Sequence, residues 1–259
     1  MEQSWPGGDG ARQTNDAFAS AYDDFNLRYR NVQWTSRLLA RARAAGLKGN
    51  RLLDVACGTG HSLIPMLRWK FEVTGCDVSA EMLARAKDKI GNAARLEQAD
   101  MRDLPIFGSF DLVWALNDPL NYLLADEELR STLAGMASNL DREGFLIFDV
   151  NTINTYRTFF AQTLEVKARN RRLIWRGLND PDTFQPGDFA EAQFEAVGEQ
   201  NSAHVHRQRH FPAAQVLDAI KGSSLKCVEF FGVSEPEGNF EGPLDEDRHT
   251  KAVYLCQLA

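Results

Sequence analysis

The segment from Arg51 to Asp103 constrains this chain more than any other part of it. The apolar run Leu52-Leu53-Asp54-Val55 breaks at Ala56-Cys57-Gly58-Thr59-Gly60 and passes into a helical pattern near Gly60 to Trp69. Two glycines let the backbone turn sharply there and approach a ligand with no Cβ in the way. A strand from Glu72 to Asp77 and a helix from Ala80 to Ile90, capped by Ser79, repeat the unit. A short strand at Ala94 to Gln98, a strand at Phe110 to Leu116, a helix from Asp126 to Leu140 and a strand at Gly144 to Val150 follow. This alternation predicts an α/β fold: a doubly wound, mostly parallel sheet with helices on both faces.

The flanking segments have a different grammar. Met1 to Gln13 hold three glycines and no apolar period, which predicts a frayed start. From Asn15 to Ala45 the residues Phe18, Tyr22, Phe25, Tyr29, Val32, Leu38 and Leu39 recur at helical spacing. After Asn151, three stretches read as strands with no helix between them: Leu164 to Leu178, Asp188 to Val197 and Ala203 to Phe211. They predict an inserted antiparallel sheet. Pro212 then opens a helix through Lys221, and strands at Leu225 to Gly232 and Lys251 to Leu258 complete a main sheet of seven strands.

Composition excludes several classes. A net charge of −7 opposes capture of a phosphate backbone, so nucleic acid is not expected as a partner, the basic stretch Lys167 to Arg172 notwithstanding. No apolar run approaches the roughly 20 residues of a spanning helix, and the chain opens without a secretory pattern, so neither a membrane nor export is expected. Cys57, Cys76, Cys227 and Cys256 form no CxxC pair and read as reduced thiols of a cytoplasmic protein.

The chemistry gathers at the strand ends. The glycine turn is GxG without a third glycine at the expected place, and no GK[ST] follows, so neither a dinucleotide nor a P-loop reading is favoured. Asp77 ends the neighbouring strand seventeen residues after Gly60, where an acid accepts ribose hydroxyls. Val78 and Met82 supply apolar surface for an adenine face, and Gln98-Ala99-Asp100-Met101 follows the next strand.

DVACGTG, GCDVS and QADMRDLP, in this order, resemble the class I S-adenosylmethionine-dependent methyltransferases, over Asn50 to about Phe148. The resemblance implies a Rossmann-like core and S-adenosyl-L-methionine as cofactor, leaving S-adenosyl-L-homocysteine as product. It further implies that Asp54, Gly58 and Gly60 lie near the methionine end, that Asp77 binds ribose with Val78 and Met82 nearby, that Asp100 and Met101 meet adenine, and that Ala56 and Leu116 also bind the cofactor. Ala21-Tyr22-Asp23 looks like the YD that many small-molecule members place over the sulfonium, giving Tyr22 a cofactor or substrate role alongside the core role common for such a tyrosine. The implied organisation is a helical lid segment (1–45), a cofactor-binding core (46–160), an antiparallel insertion roofing the active site (161–211) and a completing segment (212–259).

The acceptor is expected at Leu116-Asn117-Asp118-Pro119-Leu120-Asn121-Tyr122, where Asn117 and Asp118 offer polar atoms and Tyr122 walls the pocket. The stretch departs from the [DNS]PP[YFW] loop of methyltransferases acting on planar amino groups: Leu120 replaces the second proline and Asn121 the aromatic. His204, His206 and His210 fall on one strand face by alternation. No metal site is expected from them, since convergent partners are lacking. One of them, His206, is a candidate proton acceptor. Trp175, Phe184, Phe189 and Phe211 are candidates for the roof, and Arg157, Arg176 and Arg209 for an anionic substrate group, beside their commoner packing and surface roles. The branch resembling sugar-amine and glycine-type N-methyltransferases implies a small-molecule amine as acceptor. Two alternatives stay open: an O-methyltransferase of a secondary metabolite, and a cofactor-binding regulatory or scaffold protein without turnover. The identity of the acceptor and the oligomeric state, with a homo-oligomer admissible, are not fixed by the sequence.

Overall fold

The computed structural model describes residues 9–25, 31–168, 170–199, 203–234, 239–240 and 242–259. Tyr29 and residues 1–8 lie outside them. Two helices come first, α1 (Asp9–Phe25) and α2 (Asn31–Ala45). The helix therefore starts inside the stretch expected to fray. Ala11, Arg12 and Gln13 favour helix, and Thr14 is docked by its hydroxyl, which donates to the Val205 carbonyl at 3.2 Å.

The alternating region gives β1 (Arg51–Val55), α3 (Leu63–Arg68), β2 (Glu72–Asp77), α4 (Ala80–Ile90), β3 (Arg95–Gln98), β4 (Phe110–Ala115), α5 (Asp126–Ser138) and β5 (Leu140–Asn151). The Ser79 hydroxyl accepts the Met82 N–H at 3.0 Å and starts α4 as its sequence predicts. Helix α5 stops before Leu140 because that residue already pairs with Phe110 in the sheet. A short helix that the strand-rich reading did not contain, α6 (Ile153–Thr158), precedes the insertion.

The insertion is a four-stranded antiparallel sheet: β6 (Thr163–Ala168), β7 (Arg171–Gly177), β8 (Phe189–Ala196) and β9 (His204–Arg209). The stretch read as one strand from Leu164 to Leu178 is thus a hairpin. Helix α7 (Ala213–Lys221), β10 (Leu225–Ser234), the two-residue β11 (Asn239–Phe240) and β12 (Lys251–Leu258) close the chain.

The main sheet has the order β11-β10-β12-β5-β4-β1-β2-β3, seven strands as expected plus the short β11 at the edge. Strands β3, β2, β1, β4 and β5 are parallel, β12 runs antiparallel to β5, and β10, antiparallel to β12, returns to the common direction. Both faces are covered. Leu53, Val55, Val113 and Ala115 enter one core cluster while Leu52, Leu112 and Trp114 enter another, as side chains of a strand alternate across the sheet. A third cluster joins Phe18 and Ala21 of α1 to Trp175, Ala192 and Phe194 of the insertion.

The topology fixes where a ligand can sit. Strand order reverses between β1 and β4, and a crevice opens beyond the carboxyl ends of strands at such a point. Because β12 is antiparallel to β5, pairing Lys251 with Asn151, its amino end comes to the same edge.

Candidate active site

A cavity of about 700 Å³ occupies this crevice. The sheet forms its floor through Ala56, Gly58, Asp77, Leu116, Asn117 and Asn151. Helices α1 and α2 and the four-stranded sheet supply the opposite wall.

The glycine loop is built to be bare. Gly58 has φ +54°, and a Cβ placed there would meet nothing within 4 Å, so the backbone faces open space. Gly60 has a different reason for being glycine: at φ +80° its Cβ would come within 3.1 Å of Ala86 Cβ, so it lets α4 pack closely. Of the residues expected about the cofactor, Gly60 and Asp54 are the two that do not line the cavity. Asp54 lies beneath it, 1% exposed, accepting the Ser62 hydroxyl at 2.5 Å just before α3. Burial pushes its carboxyl up to about 7.

Asp77 is also buried, but on the cavity wall. One oxygen accepts the Gly58 N–H at 2.8 Å and the other the Ser79 N–H at 2.9 Å. Burial raises its carboxyl to about 6 against these two bonds. Each oxygen keeps a lone-pair direction for a further donor. Val78, Met82, Ala99 and Met101 give the adjoining wall apolar surface. Asp100 is less free than its sequence suggests. It accepts the Arg102 backbone N–H at 2.9 Å and pairs with the Arg102 guanidinium, which holds its carboxyl below the usual range despite partial burial.

Helix α1 is fastened to this loop. Asp23, beside Tyr22, accepts from the Thr59 hydroxyl at 2.6 Å and pairs with His61 and Lys89. Burial works against that carboxylate, yet these bonds hold it well below its ordinary range. Tyr22 thereby reaches the cavity, where burial and the nearby Asp118 carboxylate push its phenol upward.

The floor continues into a polar cluster whose main cation the sequence reading missed. Asp149, fully buried, accepts the backbone N–H groups of Asn117 at 2.7 Å and Asp118 at 3.0 Å. Those two residues adopt φ +70° and +55°, a conformation that side-chain-bearing residues seldom take. Lys251, 3% exposed, donates to Asp118 at 2.5 Å and Asp149 at 2.9 Å. Gln208 donates to the other Asp118 oxygen at 2.8 Å and accepts from Asn151 and Tyr156. The legible signal was Asp149, an acid at the carboxyl end of the apolar run Phe145 to Val150. Nothing local marked Lys251.

Tyr122 and His206 meet across the cavity with Oη 2.8 Å from Nδ1. Burial, with His204 nearby, lowers the His206 imidazolium to about 3, so the ring is neutral at pH 7. The three histidines do not converge on the site: His210 is tied to Glu246 and the Gly187 N–H. Among the described residues no group of histidine, cysteine and carboxylate side chains is arranged to hold a metal ion. Of the aromatic candidates only Trp175 lines the cavity. Phe184 stacks on Tyr156, Phe211 packs in the main core and Phe189 is 46% exposed near Arg207 and Arg209. Arg157, Arg176 and Arg209 are absent from the lining and pair with Asp247, Glu195 and Asp126.

A family model described as a methyltransferase domain matches residues 52–144, the strands and turns that carry this floor. YqeM of Bacillus subtilis (strain 168), provisionally named a methyltransferase, is 31% identical over 244 residues, covering 91% of this chain and 97% of its own. The chain belongs to the S-adenosylmethionine-dependent methyltransferases. A solved S-adenosylmethionine-dependent methyltransferase from Clostridium acetobutylicum shares the fold of this methyltransferase with a TM-score of 0.76, at 21% identity and 93% and 98% coverage of the two chains. The dTDP-3-amino-3,4,6-trideoxy-alpha-D-glucopyranose N,N-dimethyltransferase of Streptomyces venezuelae is 32% identical over 111 residues, covering 43% of this methyltransferase and 46% of its own length. The cofactor of the family fits the residues present: a bare glycine turn at Gly58, a carboxylate at Asp77 with acceptor capacity to spare, and apolar wall at Val78 and Met101.

Gly58→Val is expected to raise the dissociation constant for S-adenosylmethionine about a hundredfold or more. A branched side chain would project into the open space above the turn, in a conformation that disfavours it by about 1–2 kcal/mol. Calorimetry on the folded variant, checked by circular dichroism, reads this directly, and an unchanged affinity contradicts the placement.

Proposed function

We propose that this methyltransferase methylates the nitrogen of a small-molecule amine, such as an amino sugar or a natural-product intermediate. S-adenosylmethionine, when bound, supplies a methyl group already activated on a sulfonium. In this reading Ala56, Gly58 and Leu116 border its methionine end, Asp77 takes the ribose hydroxyls, and Val78, Met82, Asp100 and Met101 surround adenine. Asp54 and Gly60 act through the loop: the first holds Ser62, the second admits α4. Helices α1 and α2 serve as a lid, and the antiparallel sheet of β6 to β9 roofs the acceptor.

The observation carrying the nitrogen assignment is the state of the groups facing the acceptor. His206, with a conjugate acid near 3, shares a hydrogen bond with Tyr122 but is too weak a base to take a hydroxyl proton. Burial pushes the Tyr22 and Tyr122 phenols upward, so they stay protonated. Asp118 is engaged by Lys251 and Gln208. Such a wall aligns and dehydrates an acceptor without deprotonating it, which suffices for an amine that sheds its ammonium proton to water. Alignment alone supplies roughly 7–11 kcal/mol in favourable cases. The named action of the Streptomyces venezuelae relative on an amino sugar agrees with this reading.

His206→Gln is accordingly expected to lower kcat by about tenfold or less, with the loss shrinking as pH rises and the amine deprotonates on its own. A general base would cost roughly 10²–10⁴-fold. Mass spectrometry placing the new methyl on nitrogen supports the proposal. A methyl on oxygen, together with loss of all turnover in the histidine variant, would favour an O-methyltransferase in which Tyr122 and His206 relay the proton.

A further inference from the structure

We infer that the acceptor amine is carried on an apolar, ring-bearing body, and is neither a nucleotide-diphosphate sugar nor a free amino acid. The inference deepens the amine reading and rests on it. Away from the glycine loop, the cavity has two chemically opposite ends. One is the cluster of Asp118, Asp149 and Lys251, in which two carboxylates face one ammonium. Burial raises the Asp149 carboxyl, with Lys251 only partly opposing the rise, and Asp118 stands beside it as a second carboxylate, so the cluster does not attract an anion. The other is an apolar group packed in one cluster: Phe25 of α1, Phe159 after α6, Leu164 and Val166 of β6, and Trp175 of β7. These residues come from elements outside the cofactor-binding turns, so they face whatever lies beyond the cofactor.

Charge separates the candidate acceptors. Among the described residues three cations line the cavity, Arg37, Arg102 and Lys251. Lys251 is engaged by Asp118 and Asp149, and Arg102 by Asp100 and Glu128. Arg37 has an intramolecular partner as well. A diphosphate or an amino acid carboxylate would have to share each of these cations with the partner it already has and shed its own water beside Asp118. An amine on an apolar body meets neither penalty: it brings no anionic group to desolvate, and its ring covers Trp175, Leu164 and Val166.

The test is calorimetric binding to the full chain saturated with S-adenosylhomocysteine, using methylamine, 2-phenylethylamine, 2-phenylethanol, glycine and thymidine diphosphate as probes. Burial of a phenyl ring is expected to make 2-phenylethylamine bind about tenfold or more tightly than methylamine, glycine and thymidine diphosphate. Trp175→Ala should erase most of that preference. Leu164→Gln, a milder change at a half-buried strand position, should reduce it severalfold if the tryptophan variant does not fold. The inference is overturned if 2-phenylethylamine binds no better than methylamine, or if glycine or thymidine diphosphate binds more tightly. Equal binding of 2-phenylethanol, with the ring preference kept, overturns the amine reading beneath it and leaves the apolar wall standing.

Discussion

Lys251→Met is expected to destabilise the fold by about 3–5 kcal/mol, the usual consequence of stripping one partner from a buried ion pair. Asp149 is fully buried and its ammonium neighbour is 2.9 Å away, while Asp118 has the same ammonium at 2.5 Å. Without that charge two carboxylates face each other with no cation between them, and the positive-φ turn at Asn117 and Asp118 loses its counterweight. Urea denaturation at pH 7 should show a lower midpoint with an unchanged slope. Asp118→Asn added to the variant should recover part of the loss, because the two sites share one network. A single-variant effect below about 1 kcal/mol would mean that the cluster is solvated and does not organise the floor.

The second large effect is on cofactor binding. Asp77→Ala should raise the dissociation constant for S-adenosylmethionine roughly 30- to 150-fold, or about 2–3 kcal/mol, since a carboxylate hydrogen bond contributes about 1.5–3 kcal/mol and the Gly58 N–H loses its acceptor too. Acidity should mimic the mutation. The free carboxyl titrates near 6, raised by burial, and its ionised form is the better acceptor. Affinity is therefore expected to be full above about pH 7 and to weaken as pH falls through 6, and the Asp77→Asn variant should lose that dependence. Calorimetry at several pH values checks both. An affinity flat from pH 5 to 8 in the natural protein contradicts an ionised Asp77 as the ribose acceptor.

The parts of this molecule that were legible in its sequence are those written locally. The strand, glycine turn and helix of residues 51–69 follow from apolar runs and two glycines, and Asp77 is found because it ends the next apolar run. The hairpin of β6 and β7 was hidden because the sequence where one strand gives way to the next carries no glycine or proline and is rich in charged residues that suit an exposed strand as well. Lys251 could not be recognised as a buried ammonium because its burial is produced over long range. Pairing of β12 with β5 sets Lys251 opposite Asn151, and Asp118 arrives from a loop more than a hundred residues away. Tyr122 and His206 were both singled out, but only the docking of β9 over the 122 turn reveals their contact. The histidine alternation, by contrast, was correct for the strand and misleading for the site, because His210 lies beyond the end of β9 and is drawn to Glu246.

The measurement that tests the whole account most directly is a crystal structure of the chain with S-adenosylhomocysteine bound. The expected density runs along the crevice between β1 and β4. It places the ribose hydroxyls within hydrogen-bond distance of Asp77, the adenine against Val78 and Met101, and the sulfur facing the space bounded by Tyr22, Asn117 and Tyr122. Density that leaves Asp77 without a ligand contact, or that sets the sulfur away from the wall formed by Tyr122 and His206, would contradict it.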